Sequence, residues 1–171
     1  VDFEDSRKAD GIMLLGYGDY HRSRARLEAL ERQGTHFVRW GAVRDDQPGI
    51  TIGCDNVGGG RDVTAHLLGL GRRRIAFIGT ATDHYPEFED RFTGHAAALA
   101  AAGLAADPAL QVDAIATEAA GFDATNALLK RGVAFDAVFA ASDLIAIGAL
   151  RALHAAGLRS PEDVAVAGFD D

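Results

Sequence analysis

A fivefold alternation of helical pattern, glycine and strand pattern is the feature that most constrains the fold of this chain. The five glycines that end the helical patterns are Gly34, Gly71, Gly103, Gly132 and Gly157. Glycine directly after a helix is the expected left-handed cap. The segments that follow (HFVRW, RIAFIG, LQVDAI, DAVFAA and VAVAG) are apolar on both faces, as are strands buried between two helix layers. The sequence therefore predicts an α/β fold with parallel sheets and flanking helices.

One passage, residues 43–60, interrupts this alternation of helical and strand patterns. A strand GIMLLG (residues 11–16) begins the visible series, but residues 43–60 carry Pro, Asp and many Gly. This passage contains a short β-type piece, residues 50–54, that no helix precedes, although a right-handed parallel crossover normally uses one. We expect residues 43–60 to lack a helix and to run along a sheet edge or between two halves of the protein.

Composition limits the classes of function. The chain has 171 residues, 48% of them hydrophobic, which is enough for one ordinary domain or two small ones. Its net charge of −8 argues against direct binding of nucleic acid, which depends on cationic side chains. Cys54 is the single cysteine, so no internal disulfide can form, and the His residues show no metal-ligand spacing. No apolar run is long enough for a membrane span. We expect no metal, no cofactor and no membrane partner.

Polar and aromatic side chains follow the predicted strands. In open α/β sheets, ligands bind beyond the carboxyl ends of the strands. The side chains there supply aromatic faces, a guanidinium, a hydroxyl and carboxylates, which together suit the C–H faces and vicinal hydroxyls of a sugar. The candidate ligand-binding residues are Trp40, Tyr85, Glu87, Arg91, Ser142 and Asp170. Ser142 or Asp143 is also expected to cap the helix that follows.

The sequence offers little support for an enzyme. The stretch LLGYGDYH places Gly16 and Gly18 where a dinucleotide fingerprint would lie, but His21 replaces the third small residue and no acid ends the next strand. A plain turn explains these glycines, while a nicotinamide-dependent dehydrogenase stays as an alternative. Ser142 lacks the flanking glycines of a nucleophile elbow. With no convincing catalytic set, we expect a binding protein.

Three stretches of the chain resemble a known family. GLGRRRIAFIG, then RFTGHAAALAAAGL, and then AVFAASDLIAIGALRALHAAGLRSPEDVAVAGFDD are similar to the effector-binding core of the lactose-repressor/galactose-repressor family of bacterial transcription regulators. The last stretch is the most specific. The resemblance implies a periplasmic-binding-protein-like fold of type I, with two parallel-sheet subdomains joined at a hinge and incomplete here at both ends. Residues 1–71 would form part of the N-terminal subdomain, and residues 72–171 most of the C-terminal one.

The resemblance also implies roles for individual residues. A small effector, most often a sugar or a purine, would bind in the cleft between the subdomains. Arg91 would bind effector hydroxyls or a carboxylate, and Ser142 would hydrogen-bond the effector. Asp170 would accept hydrogen bonds from the effector, while Asp171 would support the hinge or the turn. Trp40, Tyr85 and Glu87 fall at cleft positions. An aromatic platform that some members carry is missing around Ala116.

The same resemblance implies the biological setting. The family's DNA-binding helix-turn-helix is absent from this sequence, so we expect operator DNA to be contacted only through a domain outside it. We expect a cytoplasmic homodimer in which a small effector modulates DNA binding. An exported sugar-binding protein of a transporter, which shares the fold, is the alternative.

Overall fold

The computed structural model describes residues 10–15, 20–44, 47–82 and 85–170. These residues divide into two compact units. Residues up to Asp55, together with residues 85–87, form the first unit, and residues 56–82 and 88–170 form the second. Both units are built from parallel strands and helices, as the sequence predicts.

The first unit contains a three-stranded parallel sheet. Its elements are β1 (Ile12–Leu15), α1 (Tyr20–Arg32), β2 (Phe37–Trp40) and β3 (Ile50–Ile52), and the strand order is β1-β2-β3. Leu27 and Leu30 of α1 pack on Phe37, with Ile12 and Leu14 beside them. The prediction that residues 43–60 run along a sheet edge is confirmed for residues 50–52, because β3 is the outer strand of the described sheet.

The two faces of this sheet differ. In the described residues one face packs against α1, whereas on the other face Val38 is half-buried and five large side chains are exposed; they are Met13, Leu15, Trp40, Ile50 and Ile52. The prediction of strands covered on both faces is therefore wrong for the described part of the first sheet.

The second unit contains a four-stranded parallel sheet. Its elements are α2 (Asn56–Gly69), β4 (Ile75–Ile78), α3 (Pro86–Ala101, whose first two residues belong to the first unit), a 3₁₀ turn (Pro108–Leu110), β5 (Gln111–Val112), α4 (Glu118–Lys130), β6 (Ala137–Ala140), α5 (Asp143–Ala155) and β7 (Ala165–Ala167). The strand order is β5-β4-β6-β7. Every residue of the two central strands, β4 and β6, is buried.

The predicted helix caps are confirmed. The five glycines of the alternation have φ values between 67° and 86°. These values lie in the left-handed region, which a residue with a Cβ rarely adopts. Each glycine can therefore end one helix and turn the chain toward the next strand.

The prediction that residues 43–60 lack a helix is wrong for residues 56–60, because α2 begins at Asn56 and includes Gly58, Gly59 and Gly60. Gly59 and Gly60 serve close packing instead of a turn. A Cβ on Gly60 would lie 2.2 Å from the carbonyl oxygen of Arg91, and a Cβ on Gly59 would lie 2.6 Å from the ring of Phe169.

This close packing groups α2 with the second unit. Gly94 of α3 approaches α2 in the same way, since its Cβ would lie 2.1 Å from the carbonyl oxygen of Val57. The division between the units consequently falls at residue 55, earlier than the expected subdomain boundary after residue 71. The assignment of residues 56–71 to an N-terminal subdomain stays a prediction.

Helix α5 buries its small residues. The sequence predicts one broad apolar face that includes Leu144, Ile147 and Leu150, but these three side chains are 45%, 43% and 41% exposed. The helix packs instead against α4, where a Cβ on Gly148 would lie 2.1 Å from the carbonyl oxygen of Glu118. Because the two helix backbones are this close, small residues form much of the buried face, together with Ile145 and Leu153, and the other large apolar side chains are left outside.

Candidate ligand-binding site

The ends of two neighbouring strands bring the candidate residues of the second unit together. Strands β6 and β7 are parallel and adjacent, so their carboxyl ends lie at the same edge of the sheet. Ala141 and Ser142 follow β6, and Phe169 and Asp170 follow β7 closely. A backbone hydrogen bond of 2.9 Å from the N–H of Asp143 to the carbonyl oxygen of Phe169 joins the two segments.

Arg91 lies at the centre of this edge. It is only 6% exposed, although its charge would be costly to bury without partners. Its Nε donates to Oδ1 of Asn56 at 2.8 Å, and its Nη1 donates both to the carbonyl oxygen of Ala141 and to Oδ1 of Asp170, the latter at 3.2 Å. The guanidinium is therefore held by groups from α2, from the end of β6 and from the end of β7.

The ring of Phe169 fixes the plane of the guanidinium. The Cζ atom of Arg91 lies 3.8 Å from the centre of the Phe169 ring and 5.5 Å from that of Phe88. The ring of Phe169 also lies against Gly59 of α2, where a Cβ would collide with it. A guanidinium stacked on an aromatic ring gains a cation–π attraction in addition to its hydrogen bonds.

The Arg91–Asp170 pair keeps unused hydrogen-bonding capacity. Among the described residues, no acceptor pairs with Nη2 of Arg91, and this nitrogen is not fully shielded from solvent. The side chain of Asp170 is 54% exposed, and only its Oδ1 has a partner in the described part of the chain. Asp170 also has a φ of 141°, a backbone conformation that is costly for a non-glycine residue and is concentrated at ligand sites.

Ser142 is placed beside this pair but serves a helix end. Its side chain is buried, and its Oγ accepts a hydrogen bond of 3.4 Å from the N–H of Ile145. The expectation that Ser142 or Asp143 caps α5 is thus confirmed for Ser142. The hydrogen bond from Ser142 to an effector stays a prediction.

The other three candidates belong to the first unit. Trp40 ends β2 and is 57% exposed, so it is not a core residue there. Glu87 accepts a 2.9 Å hydrogen bond from the N–H of Ala42 through Oε1, and Tyr85 is half-buried. Contact with a ligand stays a prediction for all three. Asp171 and the Gly16–Gly18 pair lie outside the described residues.

Two site residues escaped the sequence analysis. Asn56 is buried, yet it stands in a passage where no helix was expected, so nothing suggested that it would face Arg91. Its type was nevertheless a signal, since Asn is favoured at helix starts. Phe169 stands within the GFDD motif, but a ring that stacks on a guanidinium from another helix cannot be inferred from local sequence.

A buried histidine joins α2 and α3 in the same unit. The Oγ1 of Thr64 donates to the carbonyl oxygen of Gly60 at 2.9 Å, so it accepts from Nδ1 of His95 at 3.0 Å. The imidazole also lies 5.7 Å from the ring of Phe77 and 6.0 Å from that of Phe139. Burial among these groups lowers the pKa of His95 to about 4 by removing water from its charged form.

Two further observations concern metals and membranes. Within the described ranges, no group of three or more His, Cys, Asp or Glu side chains is arranged to hold a metal ion. No helix in that part of the chain is both long and apolar enough to cross a membrane.

Comparison with known proteins gives a consistent result. The model of the periplasmic binding protein-like domain matches residues 64–171. The transcriptional regulator CelR of Thermobifida fusca is 41% identical over 165 residues, which are 95% of this chain and 47% of CelR. The transcriptional regulator AscG of Escherichia coli is 37% identical over 121 residues, which are 71% of this chain and 36% of AscG. The chain thus spans about half the length, or less, of these relatives.

Solved structures agree with the sequence matches. A CelR–cellobiose complex superposes with a TM-score of 0.85 and 36% identity, covering 99% of this chain and 51% of that one. A LacI-type transcriptional regulator from Bacillus cereus has a TM-score of 0.88 and 28% identity, covering 99% of this chain and 59% of that one. The chain therefore belongs to the periplasmic-binding-protein-like domain family, and its relatives within that family are lactose-repressor-type transcription regulators.

Proposed function

We propose that this chain is the sugar-binding, effector-responsive core of a bacterial transcription regulator that acts in the cytoplasm. The effector is a small sugar bound by Arg91 and Asp170, and operator DNA is bound by a separate helix-turn-helix domain. The core carries out no catalysis. The relatives CelR and AscG are transcriptional regulators, and one solved relative is a complex with cellobiose, which supports a sugar effector and disfavours a transporter protein.

The Arg91–Asp170 pair is the observation that carries this proposal. Arg91 is buried and held in a fixed orientation, yet Nη2 has no acceptor among the described residues. Asp170 places an acceptor beside that donor. A donor and an acceptor held close together complement neighbouring sugar hydroxyls, each of which both donates and accepts.

Regulation follows from preferential binding of one conformation. A ligand shifts an equilibrium between two conformations only by its difference in affinity for them. The sugar therefore stabilises whichever conformation of the regulator completes its contacts with Arg91 and Asp170. The affinity of the whole protein for operator DNA then changes with the population of that conformation.

Helix α5 supports the proposed homodimer. Its exposed row is symmetrical about Ile147, with Leu144 three residues before it and Leu150 three residues after it. An antiparallel second copy would place Leu144 of one chain opposite Leu150 of the other, which is the self-complementarity that a twofold contact requires. The acidic first residue, Asp143, would then approach the basic last turn that contains His154. We assign this row to a second copy of the protein.

Titration calorimetry of the protein at its full natural length, with cellobiose and a panel of mono- and disaccharides, tests the sugar-binding proposal. At least one sugar should bind saturably to the wild type. Binding should be lost in Arg91→Ala and in Asp170→Ala; the second variant changes a side chain that is 54% exposed, and circular dichroism checks that both variants fold. Arg61→Ala is the matched control, because Arg61 is an exposed arginine of α2 paired only with its neighbour Asp62. Unchanged binding in both site variants would reject the site.

A further inference from the structure

Helices α2 and α3 contact each other along one line of residues that leads to Arg91. Asn56, Gly60 and Thr64 are spaced by four on α2, so they lie on one face of that helix. Arg91 and His95 have the same spacing on α3. Asn56 bonds Arg91 at 2.8 Å, and Thr64 bonds His95 at 3.0 Å. The contact that orients the guanidinium and the contact of the buried imidazole therefore belong to one helix pair.

The glycines between these two contacts set the distance of the helices but not their register. A Cβ on Gly60 would lie 2.2 Å from the carbonyl oxygen of Arg91. A Cβ on Gly94 would lie 2.6 Å from the backbone nitrogen of Arg61. Because helices interlock through ridges of side chains, two glycines do not stop one helix from sliding along the other. A directional bond is needed to hold the helices in one position.

The hydrogen bond between Thr64 and His95 is such a bond. The two side chains are 0% and 2% exposed. The Thr64 hydroxyl donates to the carbonyl oxygen of Gly60 on its own helix, so its oxygen is free to accept from Nδ1 of His95. The imidazole is held in turn among the rings of Phe77 and Phe139, at 5.7 Å and 6.0 Å between ring centres. Because these rings stand on β4 and β6, His95 ties α2 to the central strands of the sheet.

We propose that Thr64 and His95 are positioning residues for Arg91, whose hydrogen bond holds α2 in the register along α3 that brings Asn56 to the guanidinium. Nη1 of Arg91 bonds the carbonyl oxygen of Ala141, directly after β6, so the sheet fixes this end of the side chain. Nε is fixed by Asn56, which α2 must place within hydrogen-bond distance. A hydrogen bond is lost when donor and acceptor separate by roughly 1 Å, so a small slide of α2 would release Nε. The proposal rests on the proposed function, in which Arg91 binds the effector, and adds the residues that orient Arg91.

The Nε–Hε signal of Arg91 in nitrogen-15 NMR of the full-length protein without sugar tests this proposal. The signal is identified by its absence in Arg91→Lys, and its exchange with water reports whether Nε keeps its acceptor. Thr64→Val keeps the shape of threonine but has no hydroxyl, so exchange should become faster by about threefold to tenfold, as for one lost hydrogen bond. Thr64→Ser restores the hydroxyl and should restore slow exchange. Unchanged exchange in Thr64→Val would overturn the proposal.

Thr125→Val is the matched control. Thr125 is also fully buried, and its hydroxyl donates to the carbonyl oxygen of Gly121 on its own helix at 2.8 Å, the same arrangement as in Thr64. It stands on α4, which supplies none of the hydrogen bonds of Arg91 among the described residues, so exchange at Arg91 should equal that of the wild type. A second variant, Thr64→Val with His95→Phe, removes both polar partners at once, so that neither is left buried without a bond. It should show the same fast exchange as Thr64→Val alone.

Calorimetry with cellobiose, or with the sugar of the panel above that binds most tightly, links this positioning to effector binding. Thr64→Val should weaken binding by about threefold to tenfold, and Thr64→Ser should bind like the wild type. Combined with Asn56→Ala, Thr64→Val should add no further weakening, because it acts through Asn56. Effects that multiply in the double variant would overturn the proposed route through Asn56.

The two readouts separate this proposal from the proposed function. If no sugar binds but Thr64→Val still accelerates exchange at Arg91, the sugar-binding proposal fails and the positioning of Arg91 stands. If a sugar binds and neither exchange nor affinity changes in Thr64→Val, the positioning proposal fails and the sugar-binding proposal stands.

Discussion

His95 should make the protein lose stability in mild acid. Its pKa is lowered from 6.5 to about 4 because burial disfavours the charged imidazole, and Nδ1 is already bonded to Thr64. The unfolded chain therefore binds a proton at higher pH than the folded chain does. The contribution of His95 is complete above pH 6.5 and is lost as the pH falls from 6.5 toward 4.

The size of this effect follows from the two pKa values. Between about pH 7.5 and about pH 5, protonation of the unfolded chain alone should remove about 2 kcal/mol from the free energy of unfolding. Urea unfolding at the two pH values measures this loss. His95→Phe keeps an aromatic ring beside Phe77 and Phe139 but cannot titrate. Its loss of free energy of unfolding between the two pH values should therefore be smaller than that of the wild type by the same amount. His66→Gln, at an exposed site on α2, should behave like the wild type.

The comparison between pH values is independent of any constant cost of the substitution. His95→Phe leaves Thr64 without its imidazole partner, and this penalty is the same at both pH values. If the free energy of unfolding of the wild type and of His95→Phe falls equally between the two pH values, then His95 is not held neutral in the folded protein. The packing described for α2 and α3 would then be incorrect.

Three further predictions concern orientation, packing and assembly. Asn56→Ala removes the acceptor that orients Arg91 and should weaken sugar binding by about tenfold to a hundredfold in calorimetry, as for a lost hydrogen bond to a charged group; unchanged affinity would show that Asn56 does not position the guanidinium. Gly148→Ala places a Cβ 2.1 Å from a carbonyl oxygen of α4 and should lower the free energy of unfolding by about 1–3 kcal/mol, whereas Gly69→Ala, with nothing within 4 Å, should raise it by up to about 1 kcal/mol in the same urea titrations. If Gly148→Ala and Gly69→Ala changed the free energy of unfolding equally, the close contact between α4 and α5 would be refuted. Ile147→Lys should convert a dimer into a monomer in sedimentation velocity, and a dimer that persists would move the interface elsewhere.

The strand ends show what local sequence can predict. Arg91, Ser142 and Asp170 are far apart in the chain, but the rule that parallel strands end at one edge was sufficient to group them. The left-handed glycines were also predictable, because each follows a complete helical pattern. Both inferences depend on periodicity and on chain direction, which the sequence carries directly.

Two of the errors, at the start of α2 and on α5, have one physical cause in common. Gly59, Gly60 and Gly148 are needed where two pieces of backbone approach closely, and such a glycine has no local mark that separates it from a turn glycine. For this reason the start of α2, residues 56–60, was missed, although the helical pattern that ends before Gly71 was recognised. For the same reason the exposed side chains around Ile147 were grouped with the apolar face of α5, since the small face of that helix is recognisable as a packing surface only once α4 is placed against it.

A crystal structure of the full-length protein with its bound sugar tests the central claim most directly. We expect sugar hydroxyls within hydrogen-bond distance of Nη2 of Arg91 and of the carboxylate of Asp170, with the hydrogen bonds from Arg91 to Asn56 and to Ala141 retained. A sugar bound elsewhere in the protein, with the Arg91–Asp170 pair closed and untouched by ligand, would contradict it.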